Sequence, residues 1–321
     1  TLSPGDKVLM FETGHFATLW QKMARRLQLE PEFLGLPGYE GWRQGVQAEM
    51  IEARLREDSA HAIQAVCVVH NETSTGVTSD IAAVRRAIDA AGHPALLLVD
   101  TISGLCSADY RHDEWGVDVT ISGSQKGLML PPGISFNALS EKAIEASRHN
   151  RMPKSFWAWD EILEANRNGY WPYTPSTNLL YGLNEALDML LDEGLDHVFA
   201  RHQRWAAGVR TAVEAWGLEV QCLDPAVYSP VLTGVVMPEG VDADAVRKII
   251  YERFDLSLGM GLGKAKGKMF RIGHLGDCND LTLIATLGGC EAGMRLAGVP
   301  LAGSGVTAAL DYFAQHPLDA R

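Results

Sequence analysis

The sequence predicts an α/β fold built around a largely parallel sheet, and three observations support that prediction. Strand-like and helix-like segments alternate along the first half of the 321-residue chain. The strand-like segments are apolar runs without polar alternation, which is typical of strands buried on both faces of a sheet. Beyond about residue 194, helices mix with short strands, which indicates a second α+β unit. We therefore expect a large domain over residues 1–193 and a small domain over residues 194–321.

The individual elements follow from hydrophobic periodicity and from the turn residues that bound each segment. An aromatic-rich stretch at 156–173 breaks the strand–helix alternation. Helices are predicted at 15–27, at 78–92 and, as one long helix, at roughly 177–216. Strands are predicted at 7–12, 62–70, 94–100, 116–124, 133–140, 230–238 and 269–275.

Composition excludes several classes of partner. The net charge of −12 argues against a nucleic-acid backbone as the main ligand, and the basic run GKAKGK (263–268) reads as a solvated turn. No apolar run reaches the ~20 residues needed to span a bilayer. The five cysteines show neither a CxxC pair nor zinc-site spacing, which is typical of a reducing compartment. We expect a cytoplasmic protein that binds neither membrane, nucleic acid nor metal.

Two residues at predicted strand ends form the first candidate site. Asp100 ends the apolar run of 94–100, where an ionised and unpaired carboxylate would be costly, so it needs a cationic or protonated partner. Lys126 follows the strand of 116–124, one crossover further along the chain. A lysine with a lowered pKa can form a Schiff base with a carbonyl cofactor, and a nearby aspartate can hold a pyridinium nitrogen protonated. The alternative for Asp100 is a cap on the next helix.

Other patterns give weaker or negative signals. Arg271, between apolar neighbours, suggests recognition of a carboxylate, and a structural ion pair is an equal alternative. GMGLGKAKG (259–267) lacks residues that both a Walker A loop and a GxGxxG loop require, so a flexible turn is favoured. His70 has no second ligand at metal spacing and is interpreted as a hydrogen-bonded core histidine. The chain contains no GxSxG, which removes the nucleophile of an α/β-hydrolase.

Several longer motifs resemble one known family. They are VHNETSTGV, HPALLLVD, DEWGVDVTISGSQKGLMLPPG, YWPYTPS, LLYGL, EGLDHVFARH, FRIGHLGD and GSGV. These motifs are similar to those of serine–glyoxylate aminotransferases, class V and fold type I enzymes that depend on pyridoxal 5′-phosphate (PLP), related to alanine– and aspartate–glyoxylate aminotransferases. The resemblance covers nearly the whole chain. It implies a seven-stranded-type, mostly parallel sheet in a large PLP-binding domain, with a smaller C-terminal α+β domain.

The resemblance also implies roles for the strand-end residues. Lys126 would carry the cofactor as a Schiff base, and Asp100 would pair with the pyridine nitrogen. Arg271 would hold the α-carboxylate of the substrate.

Further cofactor contacts are implied by the same motifs. Phe16 of ETGHF would stack on the ring, Ile102 would cover the opposite face, and Thr73 would lie near the ring hydroxyl. Gln125 would sit beside the phosphate, and Thr174 would reach the phosphate in the neighbouring subunit. A site shared in this way implies an obligate homodimer.

Two departures from the family are visible. Relatives carry a further segment before TLSPGD, with a Ser/Gly/Thr-rich phosphate cradle at a helix N-terminus. From its absence we expect either a truncated sequence or a protein that binds the cofactor weakly. DTISG (100–104) also replaces the usual Gly–Val–Ser–Ser run after the aspartate, which changes the surface beside the ring.

The leading hypothesis is a transaminase that moves the amino group of a small L-amino acid, serine first, to glyoxylate, giving glycine and hydroxypyruvate. Alanine or aspartate as donor remains open. Within the fold, a desulfurase or another lyase is an alternative, although no cysteine lies in an obvious activated loop. A degenerate, non-catalytic subunit is the alternative from another class.

Overall fold

The computed structural model describes residues 1–35 and 38–318, and these contain twelve strands and ten α-helices. The strands are β1 (Lys7–Phe11), β2 (Glu30–Leu34), β3 (Ile63–Val69), β4 (Asn71–Glu72), β5 (Val77–Thr78), β6 (Leu96–Asp100), β7 (Val119–Gly123), β8 (Ser135–Leu139), β9 (Glu219–Val220), β10 (Leu232–Val236), β11 (Gly259–Met260) and β12 (Met269–Gly273). The helices are α1 (His15–Arg26), α2 (Ala48–Glu57), α3 (Ile81–Ala90), α4 (Glu141–His149), α5 (Trp159–Arg167), α6 (Thr177–Glu193), α7 (Leu195–Ala215), α8 (Ala243–Phe254), α9 (Asp280–Leu296) and α10 (Gly305–Gln315).

The large sheet has the order β2-β1-β3-β6-β7-β8, and its pairs are parallel except for antiparallel β7–β8. This confirms the α/β class and the mostly parallel sheet. Six strands, not seven, are paired among the described residues, with the ladder ending at β2 on one side and at β8 on the other. β2 is not predicted from the sequence. Its residues, EPEFL, include two glutamates and a proline, which are tolerated in an edge strand but do not form the apolar pattern by which a strand is recognised.

The central strands are buried on both faces, as their unbroken apolar runs predict. On one face, alternate residues such as Val66 and Leu97 pack against Ile51 of α2 and Ile88 of α3. On the opposite face, the intervening residues, among them Ala65, pack towards α1. Strand side chains alternate between faces, so helices on both sides require both alternating sets to be apolar.

The long helix expected at 177–216 is wrong in one respect, because the segment forms two helices. Gly194 separates α6 from α7 with φ 82° and ψ 130°, a conformation that glycine adopts without a Cβ penalty. α6 packs through Ala186 and Leu190 onto Leu128, which follows β7.

The second sheet is antiparallel, with the order β11-β12-β10-β9. Its core brings Phe270 of β12 against Trp205 and Trp216 on and after α7, together with residues of α8, α9 and α10. Because α7 belongs largely to this core, we propose Gly194 as the point where the large and small domains divide. No helix among the described residues is long and apolar enough to cross a bilayer.

A short 3-10 helix at Glu40–Arg43 connects the end of β1 to the second sheet, with Trp42 Nε1 donating to Glu12, the residue after β1, at 3.0 Å. The Arg43 side chain is 9% exposed and forms an ion pair of 2.5 Å with Glu219. It also donates to the carbonyl oxygens of Gln221 at 2.8 Å and Val220 at 3.1 Å. A buried guanidinium therefore satisfies backbone acceptors along β9, at the edge of the second sheet.

The substitution Arg43→Ala is expected to lower the free energy of unfolding by about 2–3 kcal/mol, because buried carbonyl groups lose their donors. Urea denaturation followed by circular dichroism measures this loss. The matched control is Arg56→Ala, which removes an arginine whose side chain is 57% exposed and pairs with Glu52 one turn away on its own helix. That change should stay within about 0.5 kcal/mol of wild type. Equal losses in the two variants would contradict the bridging role of Arg43.

Candidate active site

Three parallel strands end at the same edge of the large sheet, and their last residues begin the site. Val69 of β3 pairs with Asp100 of β6, and Asp100 pairs with Ile121 of β7. The segments that follow these strands therefore start side by side. Thr73 and Lys126 lie in two of these segments and Asp100 is the last residue of β6, and the sequence singles out all three.

Asp100 is a largely buried carboxyl group without an ion-pair partner among residues 1–35 and 38–318. Burial is the main cause that raises its pKa to about 6, and the charge of Glu72 acts in the same direction. The amide of Ile102 opposes the rise by donating to Oδ1 at 2.8 Å. No helix begins after Asp100, since residues 102–107 form turns, so the helix-cap alternative does not apply. The carboxylate thus lacks the cation that its position calls for.

Lys126 lies in the turn that follows β7, with its side chain partly buried. Burial lowers the pKa of its amine, and the nearby charge of Arg271 lowers it further. A Cβ added at Gly127 would lie 2.1 Å from the carbonyl oxygen of Leu105, so only glycine permits this close backbone approach. A less basic amine is a better nucleophile at neutral pH, as imine formation requires.

Arg271 reaches the same edge from the second sheet. It lies on β12, and its Nη1 donates to the carbonyl oxygen of Thr73 at 2.7 Å while its Nε donates to that of Met260 at 2.9 Å. Burial lowers the pKa of the guanidinium, and the charge of Glu72 opposes that shift. The described residues give Arg271 no carboxylate at ion-pair distance, so the ion-pair alternative fails. Nη2 has no acceptor there and is free to bind an anionic ligand.

The hydroxyl groups beside Asp100 form a small network. Thr73 Oγ1 donates to Ser103 Oγ at 3.0 Å, and Asn71 Nδ2 donates to the same oxygen at 2.8 Å. Ser103 Oγ in turn donates to the carbonyl oxygen of Asn71 at 2.8 Å. Ser103 therefore links the turn after Asp100 to the hairpin of β4 and β5, and it is the one position of residues 101–104 that matches the usual Gly–Val–Ser–Ser run. Asn71 and Glu72 lie in the motif VHNETSTGV and Ser103 lies in DTISG, but the sequence does not single out any of the three.

Phe16 stands in the first turn of α1 with its ring partly exposed, and its amide donates to Glu72 Oε1 at 3.3 Å. Ile102 lies two residues after Asp100 and is partly exposed, and Gln125 is exposed beside Lys126. These residues surround the same edge of the sheet. Thr174 does not join them within one chain. It is exposed in the segment before α6, and no described contact ties it to Asp100 or Lys126.

Two other sequence interpretations have clear outcomes. His70 is buried, but its Nδ1 has no hydrogen-bond partner among the described residues, so the expectation of a hydrogen-bonded histidine is wrong for this atom. Its ring packs on Tyr110 at 5.1 Å, and burial lowers its pKa to about 4. In the turn at 263–268, Lys264 is not only solvated, since it forms an ion pair of 2.5 Å with Glu12.

The sequence pattern of the aminotransferase class-V family matches residues 1–266. The chain belongs to this family. It is therefore a transaminase of fold type I that uses PLP.

Individual relatives agree with this assignment. The chain is 47% identical to a serine–glyoxylate aminotransferase of Hyphomicrobium methylovorum, over 98% of this chain and 78% of the relative. It is also 47% identical to an L-aspartate–glyoxylate aminotransferase of Paracoccus denitrificans, over 98% and 79%. Among solved structures, the pyridoxamine–pyruvate aminotransferase of Mesorhizobium loti superposes with a TM-score of 0.88 at 29% identity, covering 98% of this chain and 79% of that one.

The side chains present at the strand ends fit PLP. A buried carboxylate that lacks a cation suits a protonated pyridine nitrogen, and a half-buried lysine of lowered pKa suits an aldehyde carbon. Arg271 keeps an unused guanidinium nitrogen for a substrate carboxylate. Among the described residues, no group of three histidine, cysteine or acidic side chains is arranged to hold a metal ion.

The raised pKa of Asp100 predicts a pH-dependent gain in stability for Asp100→Asn in the cofactor-free protein. The folded pKa, about 6, exceeds the ordinary 3.8, so the folded protein binds this proton more tightly. Ionisation of Asp100 consequently costs stability as the pH rises from about 4 to about 6. The variant should match wild type below pH 4 and exceed it by about 3 kcal/mol above pH 6.

Urea denaturation at a series of pH values measures this difference. Asp311→Asn, at an exposed position on α10, serves as the matched control for replacing an aspartate. A difference between Asp100→Asn and wild type that does not grow between pH 4 and pH 6 would show that Asp100 is not destabilised by ionisation.

Proposed function

We propose that this transaminase moves the amino group of a small L-amino acid, serine first, to glyoxylate, giving glycine and hydroxypyruvate. The observation that carries the proposal is the convergence of Asp100, Lys126 and Arg271 at one edge of the large sheet. It is supported by the 47% identity to a serine–glyoxylate aminotransferase. L-Aspartate is the second candidate donor, because an L-aspartate–glyoxylate aminotransferase is equally similar.

In this proposal each residue has a distinct task. PLP, once bound, supplies an aldehyde carbon for the amino group and an electron-withdrawing ring. Asp100 holds a proton at the ring nitrogen, and Lys126 holds the cofactor and then moves the proton between the substrate Cα and the cofactor C4′. Arg271 orients the substrate by its carboxylate.

The remaining proposed contacts line the cofactor. Phe16 stacks on one face of the ring, Ile102 covers the other, and Thr73 lies near the ring hydroxyl. Gln125 binds beside the phosphate.

We also propose that the protein is a cytoplasmic homodimer whose partner chain supplies Thr174 to the phosphate. Around Thr174 lies a cluster of exposed aromatic side chains, namely Phe156, Trp157, Tyr170, Trp171 and Tyr173, with exposed fractions from 45% to 74%. Apolar surface of this kind is rare on a monomer, and a second copy would cover it. Free cysteines throughout the described chain suit a reducing compartment.

The central test is the substitution Lys126→Ala. The wild-type protein should bind PLP with the visible absorption of a lysine-bound cofactor, and the variant should lose that absorption together with transamination of glyoxylate. Absorption spectra and initial rates with serine, alanine and aspartate measure both properties and rank the donors. Lys248→Ala, which changes a solvent-exposed lysine of α8, should leave the spectrum unchanged. A wild-type protein that takes up no PLP would contradict the proposed function.

Mixing two inactive variants tests the shared site. Lys126→Ala removes the amine from one chain, and Thr174→Glu places a negative charge where the partner's phosphate would lie. After the two are refolded together, half of the dimers are mixed, and each mixed dimer holds one intact site. Activity should return to about a quarter of wild type. No recovery, with mixed dimers demonstrated by tagged chains, would contradict the contribution of Thr174 across the interface.

A further inference from the structure

Glu72 is a buried carboxylate that none of the proposed catalytic steps uses. It ends β4, and its residue is 1% exposed. Oε1 accepts hydrogen bonds from Ser74 Oγ at 2.6 Å, Ser74 N at 3.1 Å and Phe16 N at 3.3 Å, and Oε2 accepts from Ala17 N at 3.1 Å. Ser74 Oγ in turn accepts from His15 N at 2.8 Å. Three successive amides at the start of α1 are thus held by Glu72 and Ser74.

The first turn of α1 has no local cap to replace these bonds. Its N-cap residue is Gly14, which has no side chain to accept a bond, and the turn contains no acidic residue. A Cβ added at Gly14 would lie 2.4 Å from Glu72 Cδ, so the glycine lets the distant carboxylate approach. An unpaired helix N-terminus exposes several amide donors and attracts negative charge. Glu72, on the hairpin of β4 and β5, therefore supplies the hydrogen-bond acceptor and the negative charge that the N-terminus of α1 lacks in its own sequence.

This arrangement connects two sides of the proposed cofactor site. Phe16 lies within the capped turn, and Thr73 follows Glu72 directly and contacts Ser103 and Arg271. A shift of the Glu72 carboxylate would move the aromatic ring and the hairpin together. The charge of Glu72 also raises the pKa of Asp100 and of Arg271, so the carboxylate lies close to both residues.

We propose that Glu72 is a positioning residue, which fixes the ring of Phe16 against the cofactor by holding the first turn of α1 to the end of β4. The inference rests on the proposed function, because the stacking role of Phe16 belongs to that proposal. Glu72 itself touches neither substrate nor cofactor in this scheme. Its effect on cofactor binding passes through Phe16.

The test compares Glu72→Gln with the same substitution at a matched buried carboxylate. Glutamine keeps one acceptor oxygen but places an NH₂ group opposite the amide of Ala17. We expect the dissociation constant for PLP to rise about tenfold, as for the loss of one charge-assisted hydrogen bond, and the visible circular dichroism of the bound cofactor to fall. Ser74→Ala, a milder change in the same network, should shift both readouts in the same direction and covers the case in which Glu72→Gln does not fold.

Glu291 provides the control, because it resembles Glu72 in burial and in task. Glu291 is 9% exposed and lies beside the core of the second sheet. Its carboxylate accepts a hydrogen bond from Val306 N, in the first turn of α10, at 3.3 Å and another from Trp216 Nε1 at 2.9 Å. Glu291→Gln should lower the melting temperature as a lost cap does, while the visible circular dichroism and the PLP dissociation constant stay at wild-type values.

A double-mutant cycle separates positioning from general destabilisation. Phe16→Leu removes the ring, and in that background Glu72→Gln should have little further effect on PLP affinity. Additive effects of Glu72→Gln and Phe16→Leu would overturn the inference, and so would an unchanged cofactor spectrum in Glu72→Gln and Ser74→Ala. A wild-type protein without PLP affinity would instead defeat the proposed function, so the two failures are distinguishable.

Discussion

The parallel register of β3, β6 and β7 is the constraint on which the rest of this structure depends. Hydrogen bonding aligns Val69 with Asp100 and Asp100 with Ile121, so three chain segments leave the sheet at one edge. Parallel strands need long crossovers, and these bring residues far apart in sequence, such as Thr73 and Lys126, to the same place. A one-residue slip of β6 would exchange the two faces of that strand and turn Asp100 away from the site.

Several charged side chains lie close together at this edge of the sheet, and the fold does not pair them with one another. Burial and, to a smaller extent, the charge of Glu72 raise the pKa of Asp100 to about 6, while burial and the charge of Arg271 lower the pKa of Lys126. Two carboxylates and two cations are thus held close together without a direct ion pair among the described residues. Such an arrangement costs stability in the cofactor-free protein. A ligand that carries both a cationic ring nitrogen and anionic groups would relieve it.

The sequence revealed those parts of the fold and site that local patterns encode. Unbroken apolar runs identified β3 and β6, and a polar residue at the end of such a run identified Asp100. By contrast, the break at Gly194 depends on one glycine conformation inside an otherwise helical pattern. Glu72 was missed for a different reason. Its role depends on amides 55 and 56 residues away, and a buried acceptor of that kind has no signature in the neighbouring sequence.

Arg271 shows why the identity of the amino donor is not settled by the residues that define the reaction. Its Nε and Nη1 are occupied by the carbonyl oxygens of Met260 and Thr73, so main-chain atoms fix the orientation of the guanidinium. The remaining nitrogen can bind a carboxylate that every α-amino acid possesses. Discrimination between serine and aspartate must therefore arise where the substrate side chain ends. A carboxylate there requires a further cation, whereas a hydroxyl requires only a neutral hydrogen-bond partner.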